Sequence, residues 1–197
     1  MALAGEPRRV ERTIDQRLKL EKNDHSAMHT LGLMAVRQQN LSKADKLMRE
    51  ALTLDLGNQE YLADLGDLAL RRRKPDKAKA YYEQAWPDNP QVVLGLARAS
   101  ELLGDKDRAA ILYDQAVDMP SAPYPEALEL SGRFFYQEGQ KAKGHYYLGR
   151  YFVSVGNVNK AVLNFQEASA QPEAGRFRTM AEQEADHLSY ITKDDQK

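Results

Sequence analysis

Leu148-Gly149-Arg150-Tyr151-Phe152, followed by Gly156, Ala161, Phe165 and Ala168 with Pro172 just beyond, is the stretch that decides the fold. Its spacing recurs up the chain. Leu31-Gly32 returns 34 residues on as Leu65-Gly66, and twelve residues after each glycine stands an alanine, Ala44 and Ala78. A second alanine follows seven later, Ala51 and Ala85, with a bulky Met48 or Tyr82 between the two, and Pro90 closes the second block. A third block reads Leu96-Ala97, Gly104, Ala109, Tyr113, Ala116; it runs three residues early because the link Trp86-Pro87-Asp88-Asn89-Pro90 is short.

The composition agrees with helix. Ala and Leu number 49 against 17 for Val, Ile and Thr, and the former lose little side-chain freedom in a helix while β-branched residues are restricted at χ1. No stretch alternates with period 2. Each block therefore reads as two helices joined by a tight turn, with small residues where the backbones approach: Gly32, Gly66, Ala97 and Gly149 on first helices, Ala44, Ala78, Ala109 and Ala161 on second ones. Each pair leaves an apolar face that only a neighbour can cover, so pairs stack. This pattern resembles the tetratricopeptide repeat, whose period is ~34 residues, over about residues 25–172. The resemblance implies an all-α solenoid of antiparallel helix pairs forming a right-handed superhelix with a concave groove.

Helices are expected at 6–21, 25–38, 42–55, 59–73, 75–86, 90–103, 106–118, 124–138, 141–155, 158–170 and 174–191. Ser42 and Asp105 are candidate caps, Pro75 and Pro125 suit a first helical turn, and Gly104, Gly139 and Gly156 are natural stops. Residues 125–155 also read as a repeat, through Gly132, Phe135, Gly139, Gly144 and Leu148. Helix 141–155 would then be second helix of one unit and first of the next. Either helix 124–138 is an inserted extra, or one segment serves both patterns and the superhelix breaks there; the second is expected. The organisation is thus 1–22, an N-terminal capping helix or linker from an upstream domain carrying Val10, Ile14, Leu18 and Leu20; 23–172, an array of about 4–5 repeats; 173–191, a C-terminal capping helix with a stripe of Phe177, Met180, Ala181, Ala185, Leu188 and Ile191; and 192–197, a frayed tail.

A formal net charge of −1 argues against a broad nucleic-acid surface, which needs a basic excess. The single basic run, Arg71-Arg72-Arg73-Lys74, lies at a helix C-terminus, where cations complement the macrodipole. Without cysteine there is no disulfide framework and no thiol nucleophile. The opening Met-Ala-Leu-Ala-Gly-Glu-Pro-Arg-Arg has no apolar h-region, and no run of ~18 apolar residues occurs, so direct membrane insertion is not expected. An exported form would be a mature chain or a fragment. No phosphate loop, nucleophile elbow or His-Glu-x-x-His helix is present, so the chain is expected not to be an enzyme. His25 and His29, at i and i+4, share a helical face that suits a metal, with only Asp24 adjacent; an exposed helix start is the reading adopted, with no metal site. His145 falls at a position read as core.

Exposed positions on the first helices line the expected groove: Ser26, His29, Leu33, Val36 and Arg37; Glu60, Ala63, Asp67, Leu70 and Arg71; Gln91, Leu94, Arg98, Glu101 and Leu102. Helix 124–138 adds Glu126, Glu129, Arg133, Tyr136 and Gln137, and helix 141–155 in its other role adds Lys143, Tyr146, Arg150 and Val153. The candidate partner-binding residues are Arg37, Arg71, Arg98, Arg133, Tyr136, Tyr146 and Arg150, since arginine grips carboxylates bidentately and tyrosine adds rigid contact area. Salt bridges along the groove are the competing use of these arginines.

Gly144-His145-Tyr146-Tyr147-Leu148-Gly149-Arg150-Tyr151-Phe152 is further similar to the C-terminal repeat region of bacterial periplasmic zinc metallopeptidases, with Gly144 in place of an alanine. That resemblance implies a C-terminal piece, with zinc and catalysis upstream. The expected function is a non-catalytic scaffold that holds a partner or substrate polypeptide in its groove. One alternative is the substrate-recruiting region of such a metallopeptidase, and another an envelope or pilus assembly factor. No cofactor is expected in this chain. The compartment is periplasmic if the metallopeptidase resemblance holds and cytoplasmic otherwise.

Overall fold

A computed structural model describes residues 6–119 and 125–194, with side chains described except at 6–8, 15, 17 and 191–194. The place of Ile191 in the C-terminal stripe, residues 1–5 of the expected N-terminal segment and residues 195–197 of the expected tail lie outside the described residues. Among the described residues the chain is helical and has no strand. It divides into two compact units, Met1–Asp105 and Lys106–Lys197. The first holds α1 (Glu6–Leu20), α2 (His25–Arg37), α3 (Leu41–Leu54), α4 (Gln59–Arg71), α5 (Pro75–Tyr82) and α6 (Pro90–Leu102). The second holds α7 (Lys106–Asp118), α8 (Pro125–Gln137), α9 (Lys141–Ser154), α10 (Val158–Ala170) and α11 (Arg176–Asp194). Residues 192–194 thus continue α11.

Capping is done mostly by asparagine. Asn40, Asn58, Asn89 and Asn157, with Asp24, accept a backbone N–H from the first turns of α3, α4, α6, α10 and α2, each satisfying one of the donors a helix start leaves orphaned. Ser42, the expected cap of α3, lies inside the helix; Asn40, two residues earlier, takes the role. Pro75 opens α5 and Pro125 opens α8, as expected. Gly104, Gly139 and Gly156 end their helices with φ of 81°, 82° and 73°. Gln39 and Arg73 occupy the same left-handed position, with φ of 61° and 55°. All five turns close alike, with a backbone N–H reaching five residues back: Asn40 to Ala35, Lys74 to Ala69, Asp105 to Ser100, Gln140 to Phe135 and Asn157 to Phe152. This is the Schellman pattern.

α5 stops four residues before the expected end. Gln84 and Ala85 donate to Tyr81 and Tyr82, three residues back, so the last turn tightens, and Pro87 disfavours helical geometry at Trp86. The Trp86 indole is 67% exposed in this link.

In the first unit, α2 packs on α3 and α4 on α5 through the expected small residues. Ala44 and Ala78 are fully buried. A Cβ on Gly32 would stand 2.6 Å from Met48 Cγ, and one on Gly66 would stand 2.5 Å from Tyr82 Cε1. On the other side of the Tyr82 ring, α6 contributes Gly95, where any Cβ would overlap that ring, and Ala97 of the third block is fully buried. Tyr82 is therefore clasped between two glycines. α1 rests on the unit through Glu11, which accepts from Gln38 and Lys43, while Leu20 projects outward.

The second unit is aromatic. All five phenylalanines of the chain lie in it, and Tyr113, Phe134, Phe135, Tyr147, Tyr146, Phe165 and Phe177 form a chain of ring contacts with centroids 4.8–6.3 Å apart. Each such ring contributes about 1.5–3 kcal/mol on burial. α9 packs equally on α8 and α10. Gly132 of α8 and Gly144 of α9 meet backbone to backbone, and a Cβ on Gly144 would stand 2.7 Å from Tyr136 N. Gly149 of the same helix faces Phe165 of α10, at 2.6 Å from Cδ1 to a Cβ placed there. One segment serves both patterns. On α11, Ala181, Ala185 and Leu188 are buried, but Met180 stands outside the stripe.

Candidate functional site

First helices α2, α4 and α6 of the first unit meet through polar side chains. His25 Nδ1 lies 2.9 Å from the Tyr61 hydroxyl, and His29 Nε2 lies 2.8 Å from Asp64 Oδ2. The His29 and Tyr61 rings stack with centroids 4.2 Å apart. His29 is only 4% exposed, so the expected exposed helix start is corrected: the imidazole is enclosed by its contacts with α4. Asp24, adjacent in sequence, is occupied as the cap of α2.

Further along α4, Asp67 accepts from the Tyr82 hydroxyl and, at 2.6 Å, from Gln91 Nε2 of α6. Burial raises the Asp67 carboxyl above the usual value, and the hydrogen bonds from Tyr82 and Gln91 oppose that rise. Burial first, and then the Asp67 charge, raises the Tyr82 hydroxyl far above the ordinary phenol range. The group is a positioned hydrogen-bond network, with its proton held on the tyrosine.

In the second unit the corresponding pair is Tyr147 and Asp114. Tyr147 donates to Asp114 Oδ1 at 2.9 Å, Lys143 donates to Oδ2 at 2.6 Å, and the ammonium rests 3.6 Å over the Phe135 ring. Burial and then Asp114 raise the Tyr147 hydroxyl as well. Lys143, expected on the groove, is engaged here.

The candidate partner residues fall in different settings. Arg37 and Arg71 are exposed in the last turns of α2 and α4. Arg98 is half-buried in α6, one turn before the end, with its charge acting on Asp67 and Tyr82. Thus the three arginines do not stand level. Arg133 pairs with Glu129 at 2.6 Å while staying largely exposed, and Tyr136 is 44% exposed with its ring edge-on to His145. Arg150 is half-buried. Tyr146 is corrected: at 6% exposure, packed against Phe165 and Phe177, it presents no surface to a partner. His145 is half-buried and bonded to Asn164. In the basic run, Arg72 pairs with Asp45 at 2.7 Å and Arg73 makes the turn.

The residues missed in the sequence are Asp64 and Asp114. Asp64 follows His29 by 35 residues, close to one repeat, and that near-period spacing was the available signal. Among the described residues no helix is long and apolar enough to cross a membrane.

Comparison with known proteins bears on the same elements. No curated protein sequence matches the chain. Among solved structures, it is similar to PilW, a widely conserved type IV pilus biogenesis factor, at 19% identity over 91% of this chain and 84% of that one, with a TM-score of 0.72. It is similar to PilF of Pseudomonas aeruginosa at 14% identity over 90% and 91%, with a TM-score of 0.63. YrrB, a repeat protein with an unusual peptide-binding site, matches at 18% identity over 86% and 97%, with a TM-score of 0.57. At these identities the likeness is one of fold, and no comparison points to a catalytic family. The family model for the tetratricopeptide repeat matches residues 29–90 and 63–127, and with helix pairs wedged on glycine and alanine as that repeat requires, the chain belongs to the tetratricopeptide repeat family.

Proposed function

We propose that the chain is a non-catalytic interaction scaffold that holds a segment of a partner polypeptide against the side chains of its first helices. The observation that carries this reading is the direct bridging of successive first helices in the first unit, His29 to Asp64 and Asp67 to Gln91. It fixes the helices that carry the exposed Arg37 and Arg71 before any partner arrives, and such preorganisation lowers the ordering cost of association. The peptide-binding site named for YrrB supports a polypeptide partner. A peptide selected from a random library on the full chain is expected to bind more weakly to Arg37→Glu or Arg71→Glu, measured by calorimetry. Unchanged affinity in both variants would overturn the assignment of the face.

Within that reading, a place in the assembly of an envelope machine is favoured by the end-to-end likeness to PilW and PilF. The metallopeptidase-associated reading gains nothing from the matched family or these structures; a His-Glu-x-x-His helix encoded upstream of Met1 would revive it.

A further inference from the structure

We propose that His29, Glu60 and Asp64 form a site for a divalent transition ion of the zinc type. The inference is independent of the scaffold reading. One ligand atom from each residue lies within 4.8 Å of the other two. A tetrahedral ion with bonds of ~2.0–2.2 Å to nitrogen and oxygen spaces its ligands about 3.4 Å apart. Glu60, exposed at the start of α4, has the reach to swing inward by the ångström or so required, and the 2.8 Å contact of His29 with Asp64 opens by about half an ångström.

Three features set this trio apart from a simple ion pair. Glu60 and Asp64 are one turn apart on α4, where two like charges repel, and a single imidazole nitrogen is bonded to only one of them. The imidazole is oriented in advance: its ring is stacked on Tyr61, whose hydroxyl is held by His25 Nδ1. Metal-binding histidines need their ring orientation fixed by the surroundings, and here the stack does it. The surroundings are acidic as well, with Asp55 Oδ2 3.9 Å from His25 Nδ1. One nitrogen and two carboxylate oxygens suit zinc and its neighbours better than calcium or magnesium, which take oxygen alone. Three protein ligands leave a coordination position open to water or to a group from outside.

The test is zinc binding by the untagged full chain, followed by calorimetry and, with cobalt, by the visible absorption of the bound ion. One equivalent is expected, with the affinity lowered at least about tenfold in His29→Ala and in Asp64→Asn. Glu60→Gln is expected to weaken binding too, and its exposed position keeps it informative where loss of the buried imidazole disturbs folding. His187→Ala is expected to change nothing. Absence of saturable binding, or binding unchanged by Asp64→Asn and Glu60→Gln, would overturn the site. So would loss of binding on His25→Ala with Asp64→Asn unaffected, because the ion would then belong to the histidine pair on α2.

Discussion

Gly66 and Gly144 both hold helix crossings, one in each unit, and they face different things. Gly66 looks onto the ring of Tyr82, a side chain with its own torsions. Gly144 looks onto the backbone of Tyr136 and the carbonyl of Gly132. The first unit keeps the regular alternation, with tight pairs and looser joins between them. In the second, α9 is gripped on two sides, and its closing turn at Gly156 follows the one at Gly139 by only 17 residues, half a repeat. A crossing between backbones cannot relax by changing a rotamer, so tolerance to added volume is expected to differ between the units.

The largest effect is predicted for Gly144→Ala. Overpacking usually costs about 1–3 kcal/mol, and a backbone obstacle puts this variant at or above the top of that range, read as a fall in unfolding midpoint and lost amide protection in α8 and α9. A change below about 1 kcal/mol would break the comparison. Gly66→Ala is predicted to cost roughly 2 kcal/mol, and the double variant with Tyr82→Leu should cost less than the sum of the singles, since the two share one contact.

Next come the tyrosine hydroxyls. Tyr82→Phe is predicted to cost about 1–3 kcal/mol, because half-buried Asp67 loses the Tyr82 donor while the neutral Gln91 amide still donates to it. Tyr147→Phe should cost less, since Lys143 still donates to Asp114. Both hydroxyls are raised above the model-compound value of 10.0, so the native state keeps protons that the unfolded chain gives up. Their stabilising contribution is therefore complete below about pH 10 and falls as the pH rises further. Either Phe variant should flatten the alkaline limb of a stability-versus-pH curve.

The turns give a smaller contrast. Gln39 and Arg73 hold left-handed φ values without being glycine, which costs roughly 1 kcal/mol, so Gln39→Gly or Arg73→Gly should raise stability by up to that amount in a thermal melt. Gly139→Ala should lower it similarly.

Spacing made the helix pairs legible, because the glycine, alanine and bulky positions that wedge a pair are fixed along one strip of each helix. It also exposed the double role of helix 141–155, since both signatures are written on it. The matched family stretches end at residue 127, before that helix begins. What spacing does not encode is which neighbour covers a given side. Tyr146 reads as outward-facing on a first helix, yet α11 returns over it and Phe177 packs at 5.4 Å. His29 reads as half of a local pair, but its partner lies on α4. Gly95 lies outside the repeated small positions, and only the placement of the Tyr82 ring shows what it faces. The asparagine caps needed one further step: in three of the turns the cap directly follows the left-handed or preceding turn residue, at Asn40, Asn58 and Asn157.

The chain has one tryptophan, and it stands in water at the link between α5 and α6. At 67% exposure its native emission is expected to be that of a largely solvated indole, so emission recorded during denaturation should shift little and report on the first unit alone. Near-ultraviolet dichroism from the phenylalanine and tyrosine rings, concentrated beyond Asp105, is the optical handle for the other half.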